Sequence, residues 1–418
     1  MIFIQKGVDK TDLRVYNGLK FIWCGIQTLN SERNFTMKKT MKMVCFALAM
    51  VLCLLCATAC GDTNYTANNT TYVIGATGPL TGDASVYGVA VQRGASLAID
   101  EINAAGGLNG VLFSFEMVDD MAAADKAATG YTSLFEKGMQ ASIGSVTSGS
   151  CASFAAEAAN DGVLFMTPSA SAENVIGVSE NAFRVCFGDA QQGTIAADTL
   201  VKDYSKIGVI YDTSDPYSAG LYEAFEAQMT ALNKVKDTDY FVYTFTKETN
   251  KDFSTQVSEL KAKGCDVLFL PFYYTEAALV CKKAAQLDFN VPVFGCDGLD
   301  GIKDQLDDTV TAVISYITPF DVTSADVKDF VDAFQKKYGE APNQFAADGY
   351  DAVMIIYEAM KAANVNDVTI SASDLADAIR PILTGGTFKY DGLTGKGMSW
   401  TTAGSCEKDP QIVVVDRD

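Results

Sequence analysis

Histidine is absent from all 418 residues. That single gap removes the Ser/His/Asp and Cys/His nucleophile systems, the HExxH metal sites and histidine-based pH switching. Phosphate-cradling GxxxxGK[ST] loops, GxSxG elbows and GxGxxG fingerprints are missing as well, so the common nucleotide-binding and hydrolase motifs are not there to be read. Basic residues are scarce: 32 Lys and Arg stand against 52 Asp and Glu, a formal charge of −20. A field of that sign repels phosphate backbones, which excludes nucleic acid as a partner. With 20% charged and 48% hydrophobic residues, the composition is that of a globular chain. Its length is enough for two or three folded units. The balance of these absences points away from catalysis and towards binding, with no catalytic residue, no cofactor and no metal site expected.

Long apolar runs are lacking too. The longest candidate, residues 44–55, is 12 residues, short of the roughly 20 needed to cross a bilayer. It follows Lys38, Lys39 and Lys42 and leads into Cys56-Ala-Thr-Ala-Cys60, the layout of a secretory signal with small residues before the cut. Residues 1–59 are therefore expected to be a signal segment, with Met37 a better start than Met1 and 1–36 an over-extension. Cleavage before Cys60 removes eight basic and three acidic residues and leaves 24 against 49, a net of −25. Residues 60–71 (CGDTNYTANNTT) are polar and aperiodic, and read as a flexible tether. Six cysteines follow it, Cys151, Cys186, Cys265, Cys281, Cys296 and Cys406. No CxxC pair occurs among them, so a zinc site is not indicated, and a domain of this size needs no bridge; they read as buried thiols.

What the chain does have is alternation. Val/Ile/Phe-rich runs at 72–77, 111–118, 141–144 and 163–166 are separated by helical patterns. In the first of these, Val91, Ala95, Ala98, Ile99 and Ile102 recur at helical spacing. A second series starts after Asp189, with strands expected at 206–211, 240–245, 266–270 and 291–295. The pattern predicts an α/β fold of two doubly wound parallel-sheet lobes. Helical stretches at 325–338, 345–363 and 373–383 and a strand-like end at 411–415 are too few in strands for a third sheet, so this tail is expected to cross back and complete the two lobes.

Ligands of open α/β sheets bind beyond the carboxyl ends of the strands, where helix N-termini present amides. Two serine-rich turns fall there, Ser145-Val-Thr-Ser-Gly-Ser150 and Thr167-Pro-Ser-Ala-Ser171. Serines at such places also cap helices, and sequence leaves both readings open. Together on neighbouring strands, they suit a carboxylate. In the second series Tyr273 and Asp297 end strands, where a carboxylate beside aromatic rings can hold an ammonium group. The Asp-Gly of Asp297 also fits a turn. Asp300, Asp304, Asp307 and Asp308 do not have EF-hand spacing and read as a solvated face.

Several ordered stretches then resemble one family. GATGPLTG at 75–82, AIDEINAAGGLNG at 98–110, IGSVTS at 143–148, TPSAS at 167–171, Tyr211-Asp212 with Tyr217, and YYTE at 273–276 are similar to the type I periplasmic binding proteins of branched-chain amino-acid uptake. The resemblance runs from about Tyr72 to the C-terminus. It implies a lipid-anchored, extracytoplasmic substrate-binding protein of an ABC importer, processed and lipidated at Cys60, monomeric, and delivering an amino acid to permease subunits. It implies that Ser148, Ser169, Ala170 and Ser171 take the α-carboxylate and that Tyr273 and Asp297 take the ammonium. Tyr217 would close over the ligand, and Tyr87 would lie against its side chain. A three-segment hinge is expected near 182–189, 317–320 and 400–402, dividing the chain into 72–188 plus 319–400 and 189–318 plus 401–418. Asp297 stands where the family commonly has Glu, Tyr87 where Trp is common, and no cysteine lies between Asp119 and Ala141 for the family's first-lobe disulfide. These departures leave other small ligands (an aromatic acid, an amide or urea) and a sensor or adhesion role as alternatives.

Overall fold

The computed structural model describes residues 69–416 other than Glu407; the signal segment, Cys60 and most of the tether lie outside the described residues. Residues 69–71, expected within the tether, are tied down. Asn69 donates to the Gly138 carbonyl at 2.9 Å, and Thr71 Oγ1 lies 3.0 Å from Ser114 Oγ.

Chain order begins with β1 (Tyr72–Gly78), α1 (Ser85–Ala104), β2 (Phe113–Asp119), α2 (Ala124–Glu136), β3 (Ala141–Ser142), α3 (Ser148–Asp161), β4 (Phe165–Thr167), α4 (Glu173–Ile176) and β5 (Ala182–Arg184). These strands form one sheet in the order β2-β1-β3-β4-β5, every pair parallel. The next elements are α5 (Asp189–Asp203), β6 (Ile207–Asp212), α6 (Pro216–Ala231), β7 (Tyr240–Phe245), α7 (Ser254–Lys263), β8 (Val267–Leu270), α8 (Tyr274–Gln286), β9 (Val293–Gly295) and β10 (Ile314–Thr318). They are followed by α9 (Lys328–Tyr338), α10 (Gln344–Ala362), α11 (Ala372–Thr384) and β11 (Gln411–Val414). The second sheet runs β11-β10-β9-β8-β6-β7, parallel except for β11, which pairs antiparallel with β10.

Strands covered on both faces read as unbroken apolar runs rather than alternating ones. The central VLFL of β8 and FMT of β4 are buried at every position. The tail divides between the two sheets. Helix α10 lies against α1 beside the first sheet, while β11 extends the second. The α1–α10 crossing is unusually close because a glycine stands on each side. A Cβ on Gly94 would lie 1.8 Å from the Ala346 carbonyl oxygen, and one on Gly349 would lie 2.6 Å from that of Val91.

Three differences from the sequence reading have local causes. Two short strands are not among those expected, β5 within the hinge crossing placed at 182–189 and β10 running into the one placed at 317–320, because three to five residues carry too little pattern to be told from a connector. Helix α5 has no counterpart among the expected helices; its opening Asp189-Ala-Gln-Gln192 is polar. Asp300, expected on a solvated face, is half-buried, its carboxylate accepting from the Gln344 backbone amide at 3.1 Å.

Candidate functional site

Apart from Tyr87, which lies in the first turn of α1, the expected ligand residues follow the carboxyl ends of strands, because parallel strands deliver the chain there before each helix turns back. Strand β3 leads through Gly144, in the left-handed region at φ +67°, into Ser145–Thr147 and the start of α3 at Ser148. The serines do not serve as caps. Thr147 holds the cap position of α3 in extended conformation with no side-chain capping bond. Ser148 Oγ accepts from the Ala172 amide at 3.3 Å, and Ser169 donates to the Val146 carbonyl at 2.8 Å. Asp215, by contrast, caps α6 fully, accepting from the Tyr217 and Ser218 amides. The first turn of α3 therefore has no side-chain cap on its amides, and Thr147 and Ser148 at its start line the cleft.

Across from it, β9 runs into a tight turn, Asp297–Leu299. Asp297 is 5% exposed; its Oδ1 accepts from the Tyr217 hydroxyl at 2.6 Å, which in turn accepts from the Gly298 amide at 2.8 Å. Tyr217 stacks on Tyr273 with centroids 5.0 Å apart and planes 11° apart. Burial pushes the Asp297 carboxyl up to about 6 against the counteracting Tyr217 bond. Burial likewise raises the Tyr217 and Tyr273 hydroxyls well above their ordinary range, keeping both neutral.

These residues converge on a narrow, closed cleft with a cavity of about 10 Å³, room for about one water, lined by Tyr87, Val146, Thr147, Ser148, Ser169, Tyr217, Tyr273, Asp297, Gly298 and Phe345. Six of the eight expected ligand residues line it. Ala170 and Ser171 do not. The Ala170 amide donates to Thr167 Oγ1 at 3.1 Å and its methyl lies in the core of the first sheet. The Ser171 carbonyl accepts from Arg184 at 2.6 Å and from the Asp189 amide at 3.2 Å. Two larger open grooves, of about 870 and 960 Å³, lie elsewhere. Neither brings the two strand-end clusters together.

Sequence reasoning missed Asp189 and Gln192. Asp189 is 1% exposed, and neither of its carboxylate oxygens has a hydrogen-bond partner. Burial, with Asp297 nearby adding to it, pushes its carboxyl well above the usual range. The Ser171 hydroxyl is close enough to oppose that rise in part but does not reach bonding geometry. Gln192 Oε1 accepts from the Asp297 amide at 3.0 Å, while its Nε2 has no partner. The Tyr273 hydroxyl and Ser171 Oγ are likewise buried and unpartnered. Buried polar atoms normally find partners, so four such residues in and behind one cleft set it apart from its surroundings. The signal that leads to Asp189 is β5, since the residue lies where that strand hands over to α5.

The described cysteines are all buried. Cys151 and Cys265 are unbridged thiols pushed up to about 12 by burial, which leaves them protonated and unreactive. Among the described residues no helix is long and apolar enough to cross a membrane.

A sequence profile described as periplasmic binding protein matches residues 71–418. A Leu/Ile/Val-binding protein of Rhizobium johnstonii is 30% identical, over 73% of this chain and 83% of its own. A leucine-, isoleucine-, valine-, threonine- and alanine-binding protein of Pseudomonas aeruginosa is 27% identical, over 77% and 85%. Among solved structures, a branched-chain amino acid transporter substrate-binding protein of Streptococcus pneumoniae in complex with isoleucine superposes with a TM-score of 0.73. It is 28% identical, with 83% of this chain and 97% of that one covered.

Proposed function

The chain belongs to the periplasmic binding protein family, and we propose that it captures a free amino acid with an aliphatic side chain between its two α/β lobes by hinge closure. The observation that carries this reading is the opposition of two polar clusters across one narrow cleft, which must open to admit a ligand. On one side stand Ser148, Ser169 and the uncapped start of α3; on the other stands Asp297 with its tyrosines. The first suits an α-carboxylate, the second an α-ammonium. Tyr87, Val146 and Phe345 offer apolar surface to what lies between. The ligands of the relatives favour leucine, isoleucine or valine as the occupant. Asp189 supports the ammonium side as a second buried carboxyl, held towards its neutral form by burial, with unpartnered oxygens. Ala170 and Ser171 act behind the lining, through the turn that presents Ser169.

The lobes of this reading are 72–188 with 319–400 and 189–318 with 401–418. The protein works outside the cytoplasm, held to the membrane by lipid on Cys60, and hands its ligand as a monomer to the permease of an ABC importer. Its role is binding, not catalysis. A melting screen against the twenty free amino acids, benzoate and urea tests the ligand class. Ligand at a hundredfold above Kd adds about 2.7 kcal/mol, so leucine, isoleucine or valine raises Tm clearly. A rise with benzoate or urea alone overturns the amino-acid reading.

A further inference from the structure

One wall of the cleft is also bonded to the opposite wall. Tyr87, on α1 beside the first sheet, is 1% exposed, and its ring lines the cleft. Its hydroxyl does not face the ligand space alone. It donates to the Gly298 carbonyl at 2.6 Å and accepts from the Tyr274 amide at 3.1 Å. Both partners belong to the second sheet's side, one in the turn after β9 and the other at the first residue of α8. A second crossing starts from Gln344, the first residue of α10, 2% exposed. Its Nε2 donates to the Asp297 carbonyl at 2.8 Å, and its backbone amide donates to the Asp300 carboxylate at 3.1 Å.

These two crossings do not act separately. Gly94 seats α1 against the Ala346 backbone of α10, so Tyr87 and Gln344 are carried on one rigid helix pair. Their targets are equally joined, since Asp297, Gly298 and Asp300 are consecutive or nearly so in one short turn. A hydrogen bond across a moving interface forms only in the closed arrangement, and two sharing rigid supports form or break together. From this geometry we infer that Tyr87 and Gln344 are the two points of a built-in latch that grips the backbone of the Asp297–Leu299 turn and stabilises the closed arrangement of the lobes. The latch makes Tyr87 a positioning residue as well as a wall. It rests on the hinge-closure reading above but not on the identity of the ligand.

Amide hydrogen exchange on the purified protein tests it. Tyr87→Phe keeps the ring and removes only the hydroxyl, so the Tyr274 amide loses its acceptor and exchanges faster for a trivial, local reason. The informative amide is that of Gln344, on a different element. A coupled latch speeds its exchange in Tyr87→Phe about tenfold, equivalent to about 1.4 kcal/mol of closed-state stability. Gln344 exchange within twofold of the parent protein overturns the latch. If Tyr87→Phe fails to fold, Gln344→Ala measured at the Tyr274 amide decides by the same criterion. Repeating the parent measurement with saturating L-leucine separates the two readings: absence of added protection counts against leucine as ligand, while the cross-cleft acceleration still stands or falls without it.

Discussion

Asp297 carries a sharp quantitative prediction, because the same burial that makes it useful makes it costly. Its folded carboxyl lies at about 6, raised from 3.8 chiefly by burial. A carboxyl whose folded value exceeds its unfolded one stabilises the fold fully below the unfolded value and loses that contribution as pH climbs through the folded one. At pH 7 the ligand-free protein therefore carries an ionised, desolvated group. Holding that charge in place costs at most about 3 kcal/mol. An amino-acid ammonium beside Asp297 restores the partner that burial removed. Substituting Asp297→Asn keeps an acceptor for the Tyr217 hydroxyl and deletes the charge. Losing one half of a desolvated charge pair costs about 2–5 kcal/mol, and the retained Tyr217 bond favours the lower half of that range, so Kd rises about a hundredfold. Ligand-free stability moves the opposite way: the variant melts a few degrees above the parent at pH 7, and the gap closes towards pH 4. Isothermal titration with leucine, isoleucine and valine, beside melting curves at both pH values, reads both arms. Binding within threefold of the parent for whichever ligand binds it would refute the ammonium role. A gap that does not shrink at pH 4 would refute burial as its origin.

At the opposite cluster, Ser148→Ala removes a hydroxyl from the carboxylate end and raises Kd about tenfold, with ligand-free Tm changing little; unchanged affinity by titration counts against the assignment. Lys408 lies fully buried within 3.5 Å of Asp348, and burial holds the Asp348 carboxyl near 7 despite that cation. Lys408→Met strands Asp348 and the neighbouring buried Asp351, costing about 3–5 kcal/mol at pH 8 in urea denaturation. The loss shrinks at pH 5, where the stranded carboxyl takes up a proton, and a pH-independent loss would contradict this. Gly94→Ala drives a methyl into the Ala346 carbonyl and separates α1 from α10, lowering stability by about 3 kcal/mol or more; a neutral melting curve would show that the crossing relaxes freely.

How far the sequence reaches is clearest where it succeeds and fails within one motif. The strand expected at 240–245 is β7, Tyr240–Phe245, because six consecutive β-branched or aromatic residues leave no competing pattern. The three-residue β5 offers no such run, and without it the start of α5 is invisible, and with it Asp189 and Gln192. The serine turns show a different limit. Ser145–Ser150 reads as a helix cap, the commoner case for one such turn, or as an anion site, since both need a hydroxyl before a helix. The extended Thr147, set against the fully engaged Asp215, makes no capping bond, so the side chain at the cap position does not serve as a cap. Periodicity tells which residues face inward; it does not tell which inward polar atoms remain unmatched. Tyr273 Oη, Ser171 Oγ, Gln192 Nε2 and the Asp189 carboxylate are unmatched in the fold. Each unmet buried group costs about 1–3 kcal/mol. A chain free to satisfy them internally gains stability by doing so, as Asp351 does with the Leu393 and Thr394 amides. Unmatched buried atoms also occur elsewhere, at Tyr72, Thr77 and Gln256 among others, so it is the gathering of these four residues in and behind one cleft, next to the strand-end clusters, that supports the proposed site.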